Sequence, residues 1–288
     1  MSDRDIELKT RGELQAMRAS GVLLAQALDA ARAATRPGVS TRDIDEVVAT
    51  VIRDAGAVSS FLGYGAAKDG TGGFDGVICA SVNDEVVHGI PGPRVLQQGD
   101  LISIDAGCIL DGWHADSAIS LHVGEPPEDE QGAAEVDLIQ ACETAMWAGI
   151  AAAHDGGRLG DVSAAIGGSV ARSAKLDGRR YGSVSGYGGH GIGTQMHMAP
   201  FVPNEGKKGK GPRLVAGMAL AIEPMVTLGK SATRVLDDDW TVVTKDGSRA
   251  AHTEHSMAIT ADGICVLTAA DGGVAGLRPY GVTPISLD

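Results

Sequence analysis

Five side chains in this sequence, each explicable alone by an ordinary surface or core role, together form a donor set with chemical meaning. Asp105 closes the alternating run Leu101-Ile-Ser-Ile-Asp105, and Asp116 precedes a second such run, Ala118-Ile-Ser-Leu-His122. Between them, Asp111-Gly112 is a favoured two-residue hairpin turn. In one register Asp105 faces Ala118, with Asp116 two residues away. Shifted by one residue, Asp105 faces Asp116 directly. Either way, the period of two in a strand puts both carboxylates on one face. Two facing carboxylates repel unless a cation lies between them or one binds a proton.

Glu223 lies in the apolar run Ala219-Leu-Ala-Ile-Glu-Pro-Met-Val, and Glu254 lies between Ala250-Ala251 and Met257-Ala-Ile. A glutamate there is costly to bury unless it is paired or bound to a metal. His190 sits in Gly188-Gly-His-Gly-Ile-Gly193, where glycines let backbones approach closely and leave an imidazole without bulk around it. Four carboxylates and one imidazole, with no thiolate, suit divalent Mn, Fe, Co, Zn or Mg. Such a set can hold two ions, with two of the carboxylates bridging. Paired ions of this kind sit roughly 3.5–4 Å apart and share a hydroxide that attacks a carbonyl.

The elements that must position these groups are legible in part. Residues 11 to 34 carry Leu14, Met17, Val22, Leu24 and Leu28 at helical spacing, ended by Arg36-Pro-Gly38. A second helix starts at Ser40, with Asp43 completing a capping box and Ile44, Val47, Val48, Val51 and Ile52 facing inward. A third is expected over Val136 to Ala152, with Leu138, Ile139, Cys142, Met146 and Ile150. The pattern Gly38-x4-Asp43-Ile44 returns as Gly156-x4-Asp161-Val162, and Val48 and Ile52 are echoed by Ile166 and Val170. A helix pair followed by strands, occurring twice, predicts a duplicated α+β architecture with pseudo-twofold symmetry. Residues 219 to 227 read as one strand. Trp240–Thr244, Thr253–Thr260 and Ile264–Thr268 read as hairpins around Lys245-Asp-Gly247 and Ala261-Asp-Gly263. With no Pro- or Ser-rich linker, 11–270 reads as a single domain between tails at 1–10 and 271–288.

Composition bounds the partners. The formal net charge of -13 argues against a nucleic-acid site, which calls for a basic face. Cys79, Cys108, Cys142 and Cys265 are dispersed without a CxxC pair, as in reduced cytosolic thiols. The charged start MSDRDIELKTRGEL lacks a signal-peptide apolar region, and no apolar stretch is long enough to span a membrane. A cytoplasmic location is expected.

The motifs SVNDEVVHGIP (81–91), IDAG and DGWHADS (104–117), GGHGIGTQMH (188–197), AIEP (221–224) and TEH (253–255) together resemble methionine aminopeptidase of type I, in that family's order. The resemblance runs from about residue 10 to 270 and implies the pita-bread fold: a pseudo-twofold α+β domain with helix pairs and antiparallel-sheet halves. It implies removal of the initiator methionine from nascent proteins with a small second residue, through a hydroxide bridging two divalent metals. By the same resemblance Asp116 and Glu254 bridge, Asp105 chelates one metal, and His190 and Glu223 bind the other. Glu223 also moves a proton. His197 stabilises the oxyanion, and His88 contacts the substrate around the scissile amide. Tyr64, Cys79 and Trp240 match the methionine side-chain pocket. The short spacing from Glu223 to Glu254 leaves no room for the type II insertion, and the short N-terminus none for the zinc-finger extension of eukaryotic type I forms. The compact bacterial form is implied. Met1-Ser2 itself has the small second residue of a substrate.

The sequence departs from the family around the pocket. Ala67 replaces a common tyrosine, Met196 a common phenylalanine, and His197-Met-Ala-Pro a usual acidic pair. A glycine-rich insertion, Lys68 to Gly76, carries Phe74, which can refill the space. The implied partners are nascent N-termini at the ribosome exit, acted on by a monomer without membrane association. Proline-specific relatives usually carry a large N-terminal domain, and non-catalytic relatives lose ligands; neither pattern is met here.

Overall fold

Glycines at two matching positions start the two halves of the fold. Gly38 and Gly156 both adopt left-handed φ, +90° and +88°. In each half the chain then pairs briefly with an extended segment further on, Ser40 with Val95 and Arg158 with Arg213. The main-chain bonds repeat too: the Gly38 N–H donates to Leu96 O as the Gly156 N–H donates to Leu214 O. A helix follows each time, α2 (Thr41–Asp54) and α4 (Leu159–Asp177). Both starts are capped by an aspartate that accepts from the backbone three residues earlier, Asp43 from Ser40 and Asp161 from Arg158. The duplication read from the sequence is therefore present in the backbone. These observations come from a computed structural model describing residues 6–288; residues 1–5, which include part of the expected N-terminal tail and Met1-Ser2, lie outside it.

Two longer helices accompany these, α1 (Arg11–Ala34) and α3 (Glu130–Ala152). The last starts before the expected Val136, because Asp129 caps it by accepting from the Gly132 N–H. The strands are β1 (Val58–Ser59), β2 (Ile78–Val82), β3 (Glu85–Val87), β4 (Leu101–Leu110), β5 (Trp113–His122), β6 (Gly182–Ser183), β7 (Gly188–Gly191) and β8 (Met198–Pro203). They continue with β9 (Ala219–Ile222), β10 (Met225–Thr227), β11 (Thr233–Val235), β12 (Val242–Thr244), β13 (Ala250–His252), β14 (Glu254–Thr260) and β15 (Gly263–Val266). A short helix, α5 (Val274–Leu277), precedes the C-terminal residues, whose Leu287 is buried and whose Asp288 pairs with Arg18 of α1.

Nine strands form one antiparallel sheet in the order β1-β4-β5-β14-β9-β7-β8, with β2 also on β4 and β15 on β14. Alternation gives the sheet two unlike faces. Ile102, Ile104 and Ala106 of β4 pack against Leu24, Leu28, Ile44, Val48 and Ile52 of α1 and α2. Leu220 and Ile222 of β9 pack against Leu138, Cys142, Met146, Ile150 and Ile166 of α3 and α4. Helix pairs thus cover one face of both halves and leave the other free for the site. On α2 the buried line is Ile44, Val48 and Ile52, while Val47 and Val51 sit half-buried on its flank.

Two strand expectations are corrected. The run 219 to 227 breaks at Glu223-Pro224 into β9 and β10, since proline has no N–H to give a ladder. The proposed hairpin around Lys245-Asp-Gly247 does not form. β12 pairs instead with β11 and β3, and β13 pairs with β10 in a separate sheet. The open edge of β3 takes β12, and the Thr244 N–H donates to Asp84 O next to it. The hairpin of β14 and β15 forms as expected.

Candidate metal centre and active site

β4 and β5 meet through Asp111 and Gly112, both with positive φ (51° and 85°), the turn whose twist matches that of the strands. The register pairs Asp105 with Ala118 and Gly107 with Asp116. Both carboxylates therefore leave the same face, the one opposite Ile104 and the helices. Glu254 also pairs with Ala118, from the neighbouring β14. Ser256 locks the two strands together: its Oγ accepts from the Asp116 N–H and donates to the Asp116 carbonyl.

The second half supplies the remainder. Glu223 sits at the break that Pro224 makes between β9 and β10, its carbonyl held by Asn204 Nδ2 at 3.0 Å. His190 lies on β7, wedged between β8 and β9. Its Nδ1 donates to Gly191 O at 3.0 Å, which leaves the Nε2 lone pair to face the carboxylates. That nitrogen is 3.4 Å from Glu223 Oε1 and 3.8 Å from Asp116 Oδ2.

Asp105, Asp116, His190, Glu223 and Glu254 line one cavity of about 750 Å³, together with His88, His197, Tyr64, Cys79 and Trp240. The structure so gathers every expected ligand, catalytic and substrate-binding side chain, while Ala67 lies outside the cavity. Among the described residues, two groups bring ligand atoms within 4.8 Å of one another: Asp116, His190 and Glu254, and Glu223, His252 and Glu254. Asp105 belongs to neither group but shares the cavity.

The electrostatics ask for positive charge. Burial pushes the Asp105 carboxyl up to about 7, reinforced by the Glu223 charge and eased by His252. Burial and the neighbouring carboxylates hold Asp116 and Glu254 well above the usual range. Burial also works against ionised Glu223, but the hydrogen-bond donor His252, with His190 beside it, outweighs this and brings its pKa below normal. Asp105 Oδ1, Asp116 Oδ1 and Glu254 Oε1 are buried without any hydrogen-bond partner. Buried carboxylate oxygens of this kind need a proton or a cation. The residues present fit a divalent metal centre.

The wall above carries the other groups. The Tyr64 hydroxyl is 2.7 Å from His197 Nδ1, and the His197 ring lies 4.4 Å from that of His190. Burial and the nearby His190 lower His197 to about 4, so its ring is neutral near pH 7. His88 takes a left-handed backbone (φ 60°), uncommon for a non-glycine residue and a mark of functional positions. Burial lowers its pKa as well.

Phe74, from the inserted segment, is buried in the pocket wall. It meets Phe61 and Trp240 edge-on at 6.5 and 5.3 Å and clusters with Cys79 and Met196. Main-chain bonds between Gly63 and Phe74 and between Phe74 and Tyr64 fasten it there, whereas Ala67 is exposed. Phe61 carries no sequence signal. His252 was also missed, although its place two residues before Glu254 is a strand-period signal.

Residues 15–261 match the model of metallopeptidase family M24. A methionine aminopeptidase 1 of Mycobacterium tuberculosis is 52% identical over 92% of this chain and 96% of its own length. The chain belongs to the methionine aminopeptidases of family M24. A second member, methionine aminopeptidase 1 of Bacillus subtilis, is 42% identical over 90% of this chain and 98% of its own. The crystal structure of methionine aminopeptidase from Rickettsia prowazekii superposes with a TM-score of 0.83 at 34% identity, covering 92% of this chain and all of that one. The pita-bread fold implied by the motifs is thus the fold of this member of the family, with its helix pairs and curled antiparallel sheet.

Proposed function

We propose that this chain removes the initiator methionine from nascent polypeptides with a small second residue, using two divalent cations. The observation that carries the reading is the buried ring of carboxylates with partnerless oxygens, set at the floor of a cavity walled by Phe61, Phe74, Met196 and Trp240. Asp116 and Glu254, from adjacent strands, would bridge the ions. Asp105 would chelate one, and His190 and Glu223 the other. The hard oxygen-rich donor set accepts Mn, Fe, Co, Zn or Mg. Cations held by these residues would supply Lewis-acid polarisation of the scissile carbonyl and a lowered pKa for the attacking water.

The chain's own groups do the rest. Glu223, held ionised chiefly by the donor His252, would accept a proton from the attacking water and return it to the leaving amine. With the Tyr64 hydroxyl donating to Nδ1, His197 carries its proton on Nε2 and can donate to the developing oxyanion. His88 is placed beside the scissile amide. Tyr64, Cys79, Trp240 and Phe74 bound the space for the methionine side chain, and the pliable Met196 suits it.

The proposed catalytic domain is 11–270, acting as a monomer in the cytoplasm near the ribosome exit. Four free, buried cysteines support a reducing compartment, and the net charge of -13 disfavours a direct nucleic-acid site. No helix of the described residues is long and apolar enough to cross a membrane.

The test is release of methionine from a panel of Met-Xaa peptides, with Xaa-Pro peptides alongside, after reconstitution with Mn, Fe, Co or Zn. Cleavage of Met-Ala-Ser is expected; cleavage of Xaa-Pro alone would overturn the reading. His197→Ala is expected to lower kcat about 10²–10³-fold, the usual cost of one oxyanion donor, with metal content unchanged. Loss of the metal would mean that its role is misassigned. Phe74→Ala, which removes an aromatic wall, is expected to raise KM for methionyl peptides roughly 10–100-fold. An unchanged KM in steady-state assays would remove Phe74 from the pocket.

A further inference from the structure

We infer that His252 is a positioning residue, holding Glu223 in its working orientation by a hydrogen bond from Nε2 to Glu223 Oε2. Glu223 lies between two imidazoles. His190 Nε2 is 3.4 Å from its Oε1, and His252 Nε2 is 3.6 Å from its Oε2. With Oε1 beside His190, Oε2 of this largely buried side chain, 12% exposed, has His252 as its facing donor. His252 is 2% exposed, and its Nε2 has no hydrogen-bond partner.

The separation is a few tenths of an ångström too long for a hydrogen bond, and such bonds commonly tighten when a site is assembled. Glu254 Oε2 is further from Nε2, at 3.9 Å. The backbone of His252 is clamped: its N–H donates to Ser103 Oγ and Ser120 Oγ, and its carbonyl accepts from Ser120 Oγ at 2.7 Å. The ring therefore has a fixed base from which to steer a carboxylate. Carboxylate ligands are generally oriented by partners of this type, whose loss costs roughly 10–100-fold in metal affinity or activity.

This inference rests on the metal centre proposed above. Its test compares wild type, His252→Ala and His252→Gln by calorimetric titration with Mn²⁺ and by turnover of Met-Ala-Ser. The glutamine amide can donate from nearly the same place but is a poor ligand. His252→Ala is expected to bind Mn²⁺ about 10–100-fold more weakly, and His252→Gln to recover most of the loss. The visible spectrum of the Co²⁺-loaded glutamine variant is expected to match wild type. Unchanged affinity in the alanine variant would overturn the inference. So would failure of glutamine to recover it, or an altered Co²⁺ spectrum, either of which makes the ring itself a ligand. A wild type that binds Mn²⁺ but spares Met-Ala-Ser would count against the proposed activity and leave the affinity comparison intact.

Discussion

Asp116→Ala is expected to abolish peptide hydrolysis, lowering kcat/KM by about 10³-fold or more, and to strip the protein of metal. Several kcal/mol of transition-state stabilisation come from such ions, and about 4 kcal/mol corresponds to that factor. Asp116 stands between the halves of the site: its Oδ2 is 3.8 Å from His190 Nε2, and its strand joins that of Glu254. A single substitution there should therefore empty both positions. The fold is expected to survive, because the Asp116 backbone keeps its pairing with Gly107 and Ser256. The carboxylate itself is buried, repelled by Asp105 and lacks a partner for Oδ1. Its removal should leave the metal-free protein no less stable. Metal analysis after dialysis, thermal midpoints without metal and steady-state rates read the three parts. Full activity in the variant would sink the two-metal reading.

Gly189→Ala should act on the scaffold instead. A Cβ at this position would run into the carbonyl oxygen of Ala221 on β9 and lie 3.1 Å from Val202 Cβ on β8. The first obstacle is backbone, so it cannot yield as a flexible side chain would. Prising β7 from its neighbours is expected to cost about 3 kcal/mol, the upper part of the range for overpacking, read as a lower urea midpoint at constant slope. The same shift carries His190 away from Glu223 and Asp116, so weaker metal retention should accompany it. An unchanged midpoint would show that the strands can part freely, and the glycines would lose their role in placing the imidazole.

The sequence made the first half of the site legible because its determinants are local. Asp111-Gly112 sets a tight turn, the turn sets a register, and strand alternation then puts Asp105 and Asp116 on one face. Only the choice between two registers was open, and the structure takes the one with Asp105 opposite Ala118. The α2 start was equally readable, since Ser40 and Asp43 satisfy each other within one turn. What escaped depends on partners distant in sequence. Trp240–Thr244 looks like half of a hairpin, yet β12 finds its neighbours in β3 and β11. The first turn of α3 was missed because it is mostly polar, with Val136 turned to solvent. His252 reads as one more strand residue until β13 brings it beside Glu223. Phe74 was recognised as a ring able to refill the pocket, but only the loop bonds to Gly63 and Tyr64 place it there.

The paired halves also bear on ancestry. Asp105 lies as far beyond Gly38 as Glu223 lies beyond Gly156, so the repeat that aligns α2 with α4 aligns these two carboxylates as well. Two identical subunits around such an axis would present the same donor twice. Within one chain the two halves are free to differ. One now offers the Asp116 hairpin, the other His190 between its glycines, and a later strand brings Glu254 to the seam. Two copies of either half would not reproduce this set, because the two halves contribute different donors.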